Sequence, residues 1–518
     1  MLPPFSPQKY VDFNIPENRK KMEDALAKVK SELGREYDLI IGGESVKSDE
    51  TFKSVNPSEP SQVIGVFQKA TPELAKKAID LAHERFDSWR WMPVQERSSI
   101  LLRAAALARK RMFELAAWQI LEVGKNWLEA IADVAEMIDM FEFYAREMIR
   151  YNQRDDLTHL PGEFNQIKYI PLGVCVVIPP WNFPMAILGG MTSAALVAGN
   201  TVVLKPSSDS PACGWQVANL LYEAGLPKDV LNFVTGSGAV AGVHMVEHPK
   251  TRLIAFTGSM QVGLDIVERA AKTVPGQIWI KRVIAEMGGK DFVMVDETAD
   301  LDAAATGIVV SAFGFQGQKC SAGSRAIIFD SVYDEVIERV IEQTKKITIG
   351  PVEKYENWLG PVINERAEKN ILGYIEIGKG EGKLLTGGNK VSDLPGYFIE
   401  PTIFGDVKPG ARIEQEEIFG PVLTVVRVKD LDEGIKVANG TVYGLTGSYY
   451  SRDRSRIHRA KRELHVGNLY INRKSTGAIV DVHPFGGFNM SGTDSKAGGR
   501  DYLLLFTQAK SISEKLDY

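Results

Sequence analysis

The chain has 518 residues, which is too long for one compact core, so we expect two or three domains. With 44% hydrophobic and 25% charged residues, the composition is typical of a globular protein in water. The net charge is −5, and acidic and basic residues are mixed along the chain. This charge pattern gives no basis for binding to nucleic acid or to a membrane surface.

Targeting, disulfide and metal-binding signals are missing from the sequence. No run approaches the roughly 18 apolar residues of a transmembrane helix, and the N-terminal segment lacks the basic and apolar regions of a signal peptide. The three cysteines include no CxxC pair, which favours a reducing cytoplasm over a disulfide framework. The seven histidines have no ligand spacing, so we expect no metal.

The first part of the chain predicts mainly helices. Residues 1–36 are polar and then rich in Lys and Glu, which indicates an arm that ends in a surface helix. The segment from Leu39 to Gly42 predicts a strand. Thr71 and Pro72 have the residue types of a helix cap and first turn. Two further helices are predicted near 96–111 and 126–151.

From Gly173 onwards, apolar segments alternate with helical stretches. The segments GVCVVIP, TVVLKP, VLNFV, RLIAFTG and RVIAEMG are rich in Val and Ile, as expected of strands that are buried on both faces. They predict a doubly wound parallel sheet over about 170–286. A second series, from DFVMV to GNLYINR, predicts another α/β domain.

Two polar residues that follow predicted strands are candidates for a site, because open α/β sheets bind ligands at the carboxyl ends of their strands. Asn182, in PPWNFP, could donate to an oxyanion, although a helix cap is the more common use of such a residue. Lys205, in LKPSS, could hold a ribose or a phosphate. Its alternative interpretation is a surface lysine.

Two glycine-containing turns could lie near phosphates. Residues 236–241 match the GxGxxA pattern of dinucleotide-binding turns, but the acidic residue expected about 20 positions later is missing. We therefore predict at most a phosphate-proximal turn there, including Gly238. Thr257, Gly258 and Ser259 lie between a strand and a helix, where free N–H groups favour an anion such as pyrophosphate.

Three further residues could act in chemistry. Glu286, before two glycines, is either a general base or a turn carboxylate. Cys320, in GFQGQKCSAGSR, has small and polar neighbours, whereas Cys175 and Cys213 lie in apolar contexts typical of inert thiols. Glu417, in EQEEIFGPV, could accept hydrogen bonds from sugar hydroxyls.

Seven motifs together resemble the aldehyde dehydrogenase superfamily: PWNFP, KPS, FTGS, ExGGK, GQKC, EEIFGPV and PFGGF, in that family's order over about residues 38–510. The resemblance implies an α/β fold with a Rossmann-type NAD(P)-binding domain (38–149 and 170–286) and an α/β catalytic domain (287–472). It further implies a small β oligomerisation element (150–169 and 490–518), an N-terminal arm (1–37) and a substrate-anchoring loop (473–489).

The resemblance also implies roles for residues. Cys320 would be the nucleophile, Glu286 the general base, and Asn182 with the Cys320 N–H the oxyanion hole. Lys205 would hold the adenosine ribose, Ser259 the pyrophosphate and Glu417 the nicotinamide ribose. The implied cofactor-binding set is Pro180, Trp181, Lys205, Ser208, Gly238, Thr257, Gly258, Ser259, Gly263, Glu417 and Phe419.

The expected cofactor is NAD. Ser208 stands where many NAD-specific members have Glu, so we expect that NADP is accepted as well.

A narrower resemblance connects the chain with the subgroup that oxidises L-glutamate γ-semialdehyde. It rests on Ser321 directly after the nucleophile and on the Thr476-Gly477-Ala478 segment. Ser321 and the N–H groups of Gly477 and Ala478 would bind the α-carboxylate. The aliphatic part of the substrate would lie between Phe183 and Phe485, and Glu136 would meet the α-amino group. The implied reaction forms L-glutamate through a thiohemiacetal and a thioester, in proline and arginine degradation.

Two alternatives remain beside this hypothesis. One is the same chemistry on another small semialdehyde, such as succinic semialdehyde. The other is a non-catalytic family member, which the joint presence of Cys320, Glu286 and Asn182 argues against. The resemblance further implies that the apolar tail, residues 501–514, pairs across a homodimer, as the minimum unit of a homo-oligomer.

Overall fold

A computed structural model of the chain describes residues 3–153 and 157–516. The α-helices in these two ranges are α1 (Pro16–Lys30), α2 (Pro72–Trp89), α3 (Val94–Lys110), α4 (Met112–Val123), α5 (Trp127–Asn152), α6 (Ala186–Ala198), α7 (Pro211–Glu223), α8 (Val243–Glu247), α9 (Met260–Ala271), α10 (Leu301–Phe313), α11 (Tyr333–Thr344), α12 (Glu365–Glu381), α13 (Arg412–Gln415), α14 (Leu431–Ala438) and α15 (Arg454–Glu463).

The strands within the same ranges are β1 (Arg35–Tyr37), β2 (Leu39–Ile41), β3 (Glu44–Val46), β4 (Thr51–Asn56), β5 (Glu59–Gln68), β6 (Glu163–Pro171), β7 (Val174–Ile178), β8 (Thr201–Leu204), β9 (Leu231–Phe233), β10 (Thr251–Thr257), β11 (Arg282–Glu286), β12 (Phe292–Val295), β13 (Arg325–Phe329), β14 (Lys383–Thr386), β15 (Thr402–Gly405), β16 (Val422–Val428), β17 (Tyr443–Gly444), β18 (Thr446–Tyr450), β19 (Asn468–Ile471), β20 (Phe488–Asn489) and β21 (Thr507–Lys515).

The first large sheet, which we call the cofactor sheet, has the strand order β11-β10-β7-β8-β9-β2-β3. Its five strands from β7 to β11 are parallel. Their order reverses between β7 and β10, and in doubly wound sheets ligands bind at this reversal point. The predicted parallel sheet is therefore confirmed. The antiparallel additions, β2 and β3, come from the start of the chain, and local sequence could not place them at this edge.

The second large sheet, which we call the catalytic sheet, has the strand order β14-β15-β16-β13-β12-β18-β19. All of its pairings are parallel except that of β14 with β15. Every residue of β12, β13 and β18 is buried. This matches the apolar segments that predicted a second α/β domain, and the fold is α/β as expected.

The helical predictions for the first part of the chain are largely confirmed. Thr71 caps α2, and its hydroxyl accepts a hydrogen bond from Leu74 N at 3.3 Å. The predicted helices near 96–111 and 126–151 correspond to α3 and α5. Helix α4 was not predicted, because a single non-helical residue, Arg111, separates it from α3.

The surface helix predicted at the end of the N-terminal arm is confirmed as α1, most of whose residues are exposed. Helix α1 is amphipathic, and Met22, Leu26 and Val29 are buried on the face that packs on α4. Phe13, ahead of the helix, is also buried. Because of this apolar stripe, the arm packs onto the globular body. The polar composition of the segment did not indicate this packing.

The C-terminal segment divides into a buried part and a strand. Tyr502, Leu503 and Phe506 lie in a short 3₁₀ helix and are buried within their own chain. Strand β21 then pairs antiparallel with β6 along its whole length. The predicted oligomerisation element at 150–169 includes most of β6 together with the end of α5, and its residues 154–156 lie outside the described ranges.

Within the described ranges, no helix has the length and apolar character needed to cross a bilayer.

Candidate active site

The site lies between the two large sheets, at the carboxyl ends of the cofactor-sheet strands and at the amino ends of the catalytic-sheet strands. On the cofactor sheet, Asn182 follows β7 and Glu286 ends β11. On the catalytic sheet, Cys320 precedes β13 and Glu417 precedes β16. Gly289 connects the last two, because its N–H donates to Glu417 Oε1 at 3.0 Å and a Cβ on it would collide with Cys320 O.

The loop that carries Cys320 is largely buried, although its polar composition suggested an exposed loop. Several of its polar groups bond inside the protein, although Gln316 Oε1 and Gln318 Nε2 are buried without a partner in the described structure. Gln316 Nε2 donates to two backbone carbonyls, Gln318 Oε1 accepts from Ile363 N at 2.9 Å, and Lys319 Nζ pairs with Glu129 at 2.7 Å. Cys320 itself is partly accessible. The surroundings therefore hold the loop in place and leave the sulfur open to the cavity.

The environment of Cys320 disfavours the thiolate. Burial raises the pKa of the thiol well above its ordinary value, and the carboxylates of Asp291, Glu417 and Glu286 raise it further. The N–H of Ser321 acts in the opposite direction. At neutral pH the thiol is therefore protonated, and its attack on a carbonyl needs a base to take the proton.

Glu286 lines the same cavity as Cys320. One of its carboxylate oxygens accepts from Ser495 Oγ at 2.6 Å and from Ser495 N at 3.3 Å, and the other accepts from Gly487 N at 3.3 Å. Burial nevertheless raises the pKa of this carboxyl to about 7. A carboxylate with this pKa can accept and release a proton near neutral pH, as a general base must.

Asn182 is buried, and its amide Nδ2 donates to Gln318 O at 3.0 Å. This bond uses one amide hydrogen and places the other beside the nucleophile's loop. The backbone N–H of Cys320 has no acceptor among the residues that the structure describes. The two groups are thus available as the predicted oxyanion donors. Because Asn182 precedes α6 without capping it, the alternative interpretation as a helix cap does not apply.

Lys205 directly follows β8 and is buried. Burial lowers the pKa of its ammonium to about 8. Its Nζ donates to Pro206 O and to Gly236 O, and Ser208 Oγ also points to Gly236 O at 3.4 Å. The GxGxxA segment forms a π-helical turn that begins at Gly238, which is exposed. The bond to Gly236 O places Lys205 next to this turn. The interpretation of Lys205 as a surface lysine is wrong.

Helix α9 begins at the strand-order reversal, directly after β10. Ser259 caps it by accepting from Val262 N, and Gly258 N donates to Glu286 O at 3.1 Å. The first two N–H groups of α9, those of Met260 and Gln261, have no acceptor in the described part of the chain, as an anion site requires. Thr257 precedes this turn. Gly263 has a packing reason as well, because a Cβ there would lie 2.5 Å from Met287 Sδ.

Glu417 and the aromatic residues near it form the other end of the predicted cofactor site. Burial raises the pKa of the Glu417 carboxyl to about 7. Phe419 has a left-handed backbone (φ 57°) and packs edge-on against Trp181, with ring centroids 5.7 Å apart. Pro180 precedes Trp181 on the loop after β7, so this packing joins the two sheets.

The predicted substrate residues fall on two sides of Cys320. Phe485 lines the cavity that also holds Cys320 and Glu286. The Phe183 ring lies 4.1 Å from Lys125 Nζ, whose buried ion pair with Asp133 measures 2.9 Å. Glu136 follows on the same helix as Asp133, and burial followed by the Asp133 charge raises its pKa to about 8.

Ser321 is buried beside the loop that follows β19. Its carbonyl accepts from Ser475 Oγ at 3.2 Å, which ties that loop to the nucleophile. Gly477 has a left-handed backbone (φ 79°). The N–H groups of Gly477 and Ala478 have no acceptor within the two described ranges. The three predicted carboxylate-binding residues are thus on adjoining segments.

Several residues that shape the site escaped sequence reasoning. Ser495, which orients Glu286, is far away in sequence and carries no local signal. Lys290 is the last residue of the GGK motif and Asp291 follows it, so the motif could have pointed to them. Both are buried, and Lys290 Nζ and Asp291 Oδ2 have no hydrogen-bond partner in the structure as described.

This arrangement is that of a two-sheet α/β oxidoreductase with a partly accessible cysteine beside a buried carboxyl group. The free N–H groups of α9, the buried Lys205 and the Glu417 carboxylate are the donors and acceptor that a dinucleotide needs. Across residues 3–153 and 157–516, no group of three or more His, Cys, Asp or Glu side chains could hold a metal ion.

Comparison with known proteins identifies the family. The sequence model of the aldehyde dehydrogenase family matches residues 45–512, and the chain belongs to that family. It is 55% identical to a 1-pyrroline-5-carboxylate dehydrogenase of Geobacillus sp. (strain WCH70), over 99% of this chain and 100% of the relative.

Two solved structures extend the comparison. One is a 1-pyrroline-5-carboxylate dehydrogenase from Thermus with bound NAD, at 50% identity, 99% coverage of each chain and a TM-score of 0.97. The other is betaine aldehyde dehydrogenase from Staphylococcus aureus in complex with NAD+, at 29% identity and a TM-score of 0.89, with 96% of this chain and 98% of that chain covered.

Proposed function

We propose that the chain oxidises L-glutamate γ-semialdehyde, which is in equilibrium with 1-pyrroline-5-carboxylate, to L-glutamate with NAD. The observation that carries this proposal is the common cavity of Cys320, Glu286 and Phe485, with two free N–H groups on the neighbouring anchoring loop. The relatives named 1-pyrroline-5-carboxylate dehydrogenase support the same substrate.

NAD is the proposed cofactor. The N-terminus of α9 would hold its pyrophosphate, Lys205 its adenosine ribose and Glu417 its nicotinamide ribose. When bound, NAD supplies the acceptor for the hydride that the aldehyde carbon loses. Ser208 places no carboxylate beside the adenosine ribose, so we propose that NADP is accepted too.

The chain's own residues provide the remaining chemistry. Glu286 accepts the thiol proton, and Cys320 Sγ bonds to the aldehyde carbon to give a thiohemiacetal. Asn182 Nδ2 and the Cys320 N–H stabilise the oxyanion, and removal of one such donor typically costs about 2.7–4 kcal/mol. Glu286 releases the thiol proton to solvent and then removes a proton from the water that attacks the thioester; the C–S bond breaks, which releases the carboxylic acid product and regenerates the Cys320 sulfur. The pKa of about 7 of the Glu286 carboxyl suits these proton transfers.

Hydrogen-bond donors and one carboxylate would bind the amino-acid end of the substrate. Ser321 Oγ and the N–H groups of Gly477 and Ala478 would bind the α-carboxylate. Glu136 would meet the α-ammonium, and a nearby cation would lower its raised pKa and favour the charged pair. Succinic semialdehyde lacks the ammonium group, so Glu136 favours the amino-acid substrate.

We also propose a homodimer as the minimum assembly. Strands β6 and β21 form a sheet of only two strands within the described chain, so each strand has one outer edge that can pair further. Helix α9 exposes Val262, Leu264 and Val267, which supplies an apolar surface for a second copy. The cytoplasm is the proposed location, supported by the three free cysteines.

Reduction of NAD and NADP, measured side by side across a panel of ω-semialdehydes, tests the function. We expect the highest kcat/KM with glutamate γ-semialdehyde and a lower value with succinic semialdehyde. A preference for succinic semialdehyde would favour the alternative substrate, and no reduction with any aldehyde would favour a non-catalytic member. Sedimentation of the purified chain tests the dimer.

A further inference from the structure

Arg473 makes an unusual set of contacts with the turn that follows it. Its guanidinium Nη2 donates to Thr476 O at 3.0 Å and to Gly477 O at 2.9 Å. One side chain thus holds two successive carbonyls of the anchoring loop. No role has been assigned to Arg473 so far.

These two bonds determine where the neighbouring N–H groups point. In a trans peptide, the C=O and N–H groups lie on opposite sides. Because the carbonyls of Thr476 and Gly477 face the guanidinium, the N–H groups of Gly477 and Ala478 are turned away from it. Successive N–H groups in such a turn form an anion-binding concavity. The left-handed backbone of Gly477 (φ 79°) is part of this geometry.

The guanidinium is itself fixed on its remaining sides. Its Cζ lies 4.3 Å from the centroid of the Tyr470 ring, on β19. Its Nη1 lies 3.1 Å from His483 Nε2, on the far side of the loop. Burial and the Arg473 charge lower the pKa of His483, so the neutral ring accepts this bond. Arg473 therefore connects the strand, the turn and the end of the loop.

The charges around the turn also suit a carboxylate. Lys319 is neutralised by Glu129, at 2.7 Å. Lys474 makes no ion pair within the part of the chain that the structure describes, and its Nζ lies 3.7 Å from the position of a Cβ on Gly477. With Arg473, the segment carries a surplus of positive charge beside Ser321. The α-carboxylate of the substrate would balance it.

We infer that Arg473 is a positioning residue: by holding the carbonyls of Thr476 and Gly477, it presents the N–H groups of Gly477 and Ala478 to the substrate's α-carboxylate. The inference rests on the proposed function, because it assigns the anion at that turn to the substrate. Arg473 acts through the turn and touches neither the aldehyde carbon nor the cofactor.

Three aldehydes separate this role from general damage. Glutamate γ-semialdehyde has the carboxylate and the ammonium, 5-oxopentanoate has the carboxylate alone, and pentanal has neither. In Arg473→Met, we expect KM to rise about tenfold for the first two, as expected for the loss of aligned hydrogen bonds to a charged group. Little change is expected in kcat or in KM for pentanal. A similar rise for all three aldehydes, or none, would overturn the inference.

Two further variants sharpen the test. Arg473→Lys keeps the charge but lacks the planar guanidinium that donates to both carbonyls. We therefore expect its KM to lie between the values of the wild type and of Arg473→Met. Full recovery would assign the effect to charge and reject positioning. Arg452→Met is the matched control, since that exposed arginine pairs with Asp300 at 3.0 Å outside the loop. Its kinetics should equal those of the wild type.

The wild-type kinetics keep the two proposals apart. If the unmodified enzyme has the same KM for 5-oxopentanoate and for pentanal, it does not recognise a carboxylate, and the proposed substrate class fails whatever Arg473 does. If it prefers 5-oxopentanoate and Arg473→Met keeps that preference, the proposed function stands and the positioning role fails. NAD affinity and the unfolding temperature of each variant report on folding in both cases.

Discussion

The two large sheets face the same crevice with opposite ends of their strands. The cofactor sheet presents the ends of its strands, followed by the starts of α6 and α9. The catalytic sheet presents the starts of its strands, and α10 ends just before the Cys320 loop. Helix N-termini are electropositive and helix C-termini electronegative. The cofactor side therefore favours anions such as phosphate and an oxyanion, whereas on the catalytic side burial and the nearby carboxylates raise the pKa of the Cys320 thiol and keep it protonated.

This difference has a consequence for catalysis. Cys320 gains no help in ionising from the sheet that carries it, because burial and the carboxylates of Asp291 and Glu417 on that side raise the pKa of its thiol. The groups that would remove its proton and stabilise the oxyanion, Glu286 and Asn182, stand on the cofactor side. The chemistry is divided between the sheets, and each of the following substitutions tests one side of that division.

The largest effect is expected for Cys320→Ala. Without the sulfur no thiohemiacetal forms, so NAD reduction should fall to background, while NAD affinity, which depends on the cofactor sheet, stays unchanged. Activity assays and NAD titration of the same preparation measure the two properties. Cys213→Ala, in the buried interior of α7, is the control and should keep turnover. Turnover that survives in Cys320→Ala would reject the mechanism.

Glu286→Gln should lower kcat by on the order of 10²- to 10⁴-fold, since it removes the general base. In the wild type, activity should increase as the pH rises through about 7, because the base acts in its deprotonated form. This rise should disappear in the variant. Ser495→Ala, which removes a bond that stabilises the carboxylate, should move the rise to higher pH. An unchanged pH profile in both variants would mean that another group is the base.

Asn182→Ala should lower kcat by a factor that corresponds to about 2.7–4 kcal/mol, the usual cost of one lost oxyanion donor. The substitution also removes the bond to Gln318 O, so the loop could shift. Asn182→Asp keeps the side-chain volume but also loses both donated bonds, so a similar loss of kcat in the two variants, with an unchanged unfolding temperature, would assign the effect to lost donation and not to a cavity. If the variants keep near-normal kcat, the oxyanion is stabilised from the catalytic side alone.

The smallest effect is expected for Ser208→Glu. A carboxylate there would repel a 2′-phosphate by about 1 kcal/mol in a water-like medium, or roughly fivefold in affinity. The ratio of kcat/KM values for NAD and NADP should therefore shift toward NAD. Ser207→Glu, one position earlier, serves as the matched control for added charge. An unchanged ratio in Ser208→Glu would place the 2′-position elsewhere.

The sequence predicted one sheet better than the other. For the cofactor sheet, the rule that ligands bind after strands led directly to Asn182, Lys205 and Glu286. For the catalytic sheet that rule fails, since Cys320 and Glu417 precede strands; their sequence contexts made them candidates, and the family resemblance supplied their specific roles. Contacts that join distant segments, such as Ser495 with Glu286, leave no local pattern. The burial of the polar Cys320 loop was likewise hidden, because its partners Ile363 and Glu129 lie far away in sequence.

The turn at Gly288 and Gly289 makes the two ends of the cofactor site unequal for protein engineering. Glu417 is bonded to Gly289, and Gly289 leaves no room for a side chain against Cys320 O. Changes of cofactor preference made at Glu417 would therefore disturb the nucleophile as well. Ser208 contacts Gly236 on the cofactor sheet and has no such connection to the sulfur. The adenosine end is the place where cofactor choice can be redesigned independently of catalysis.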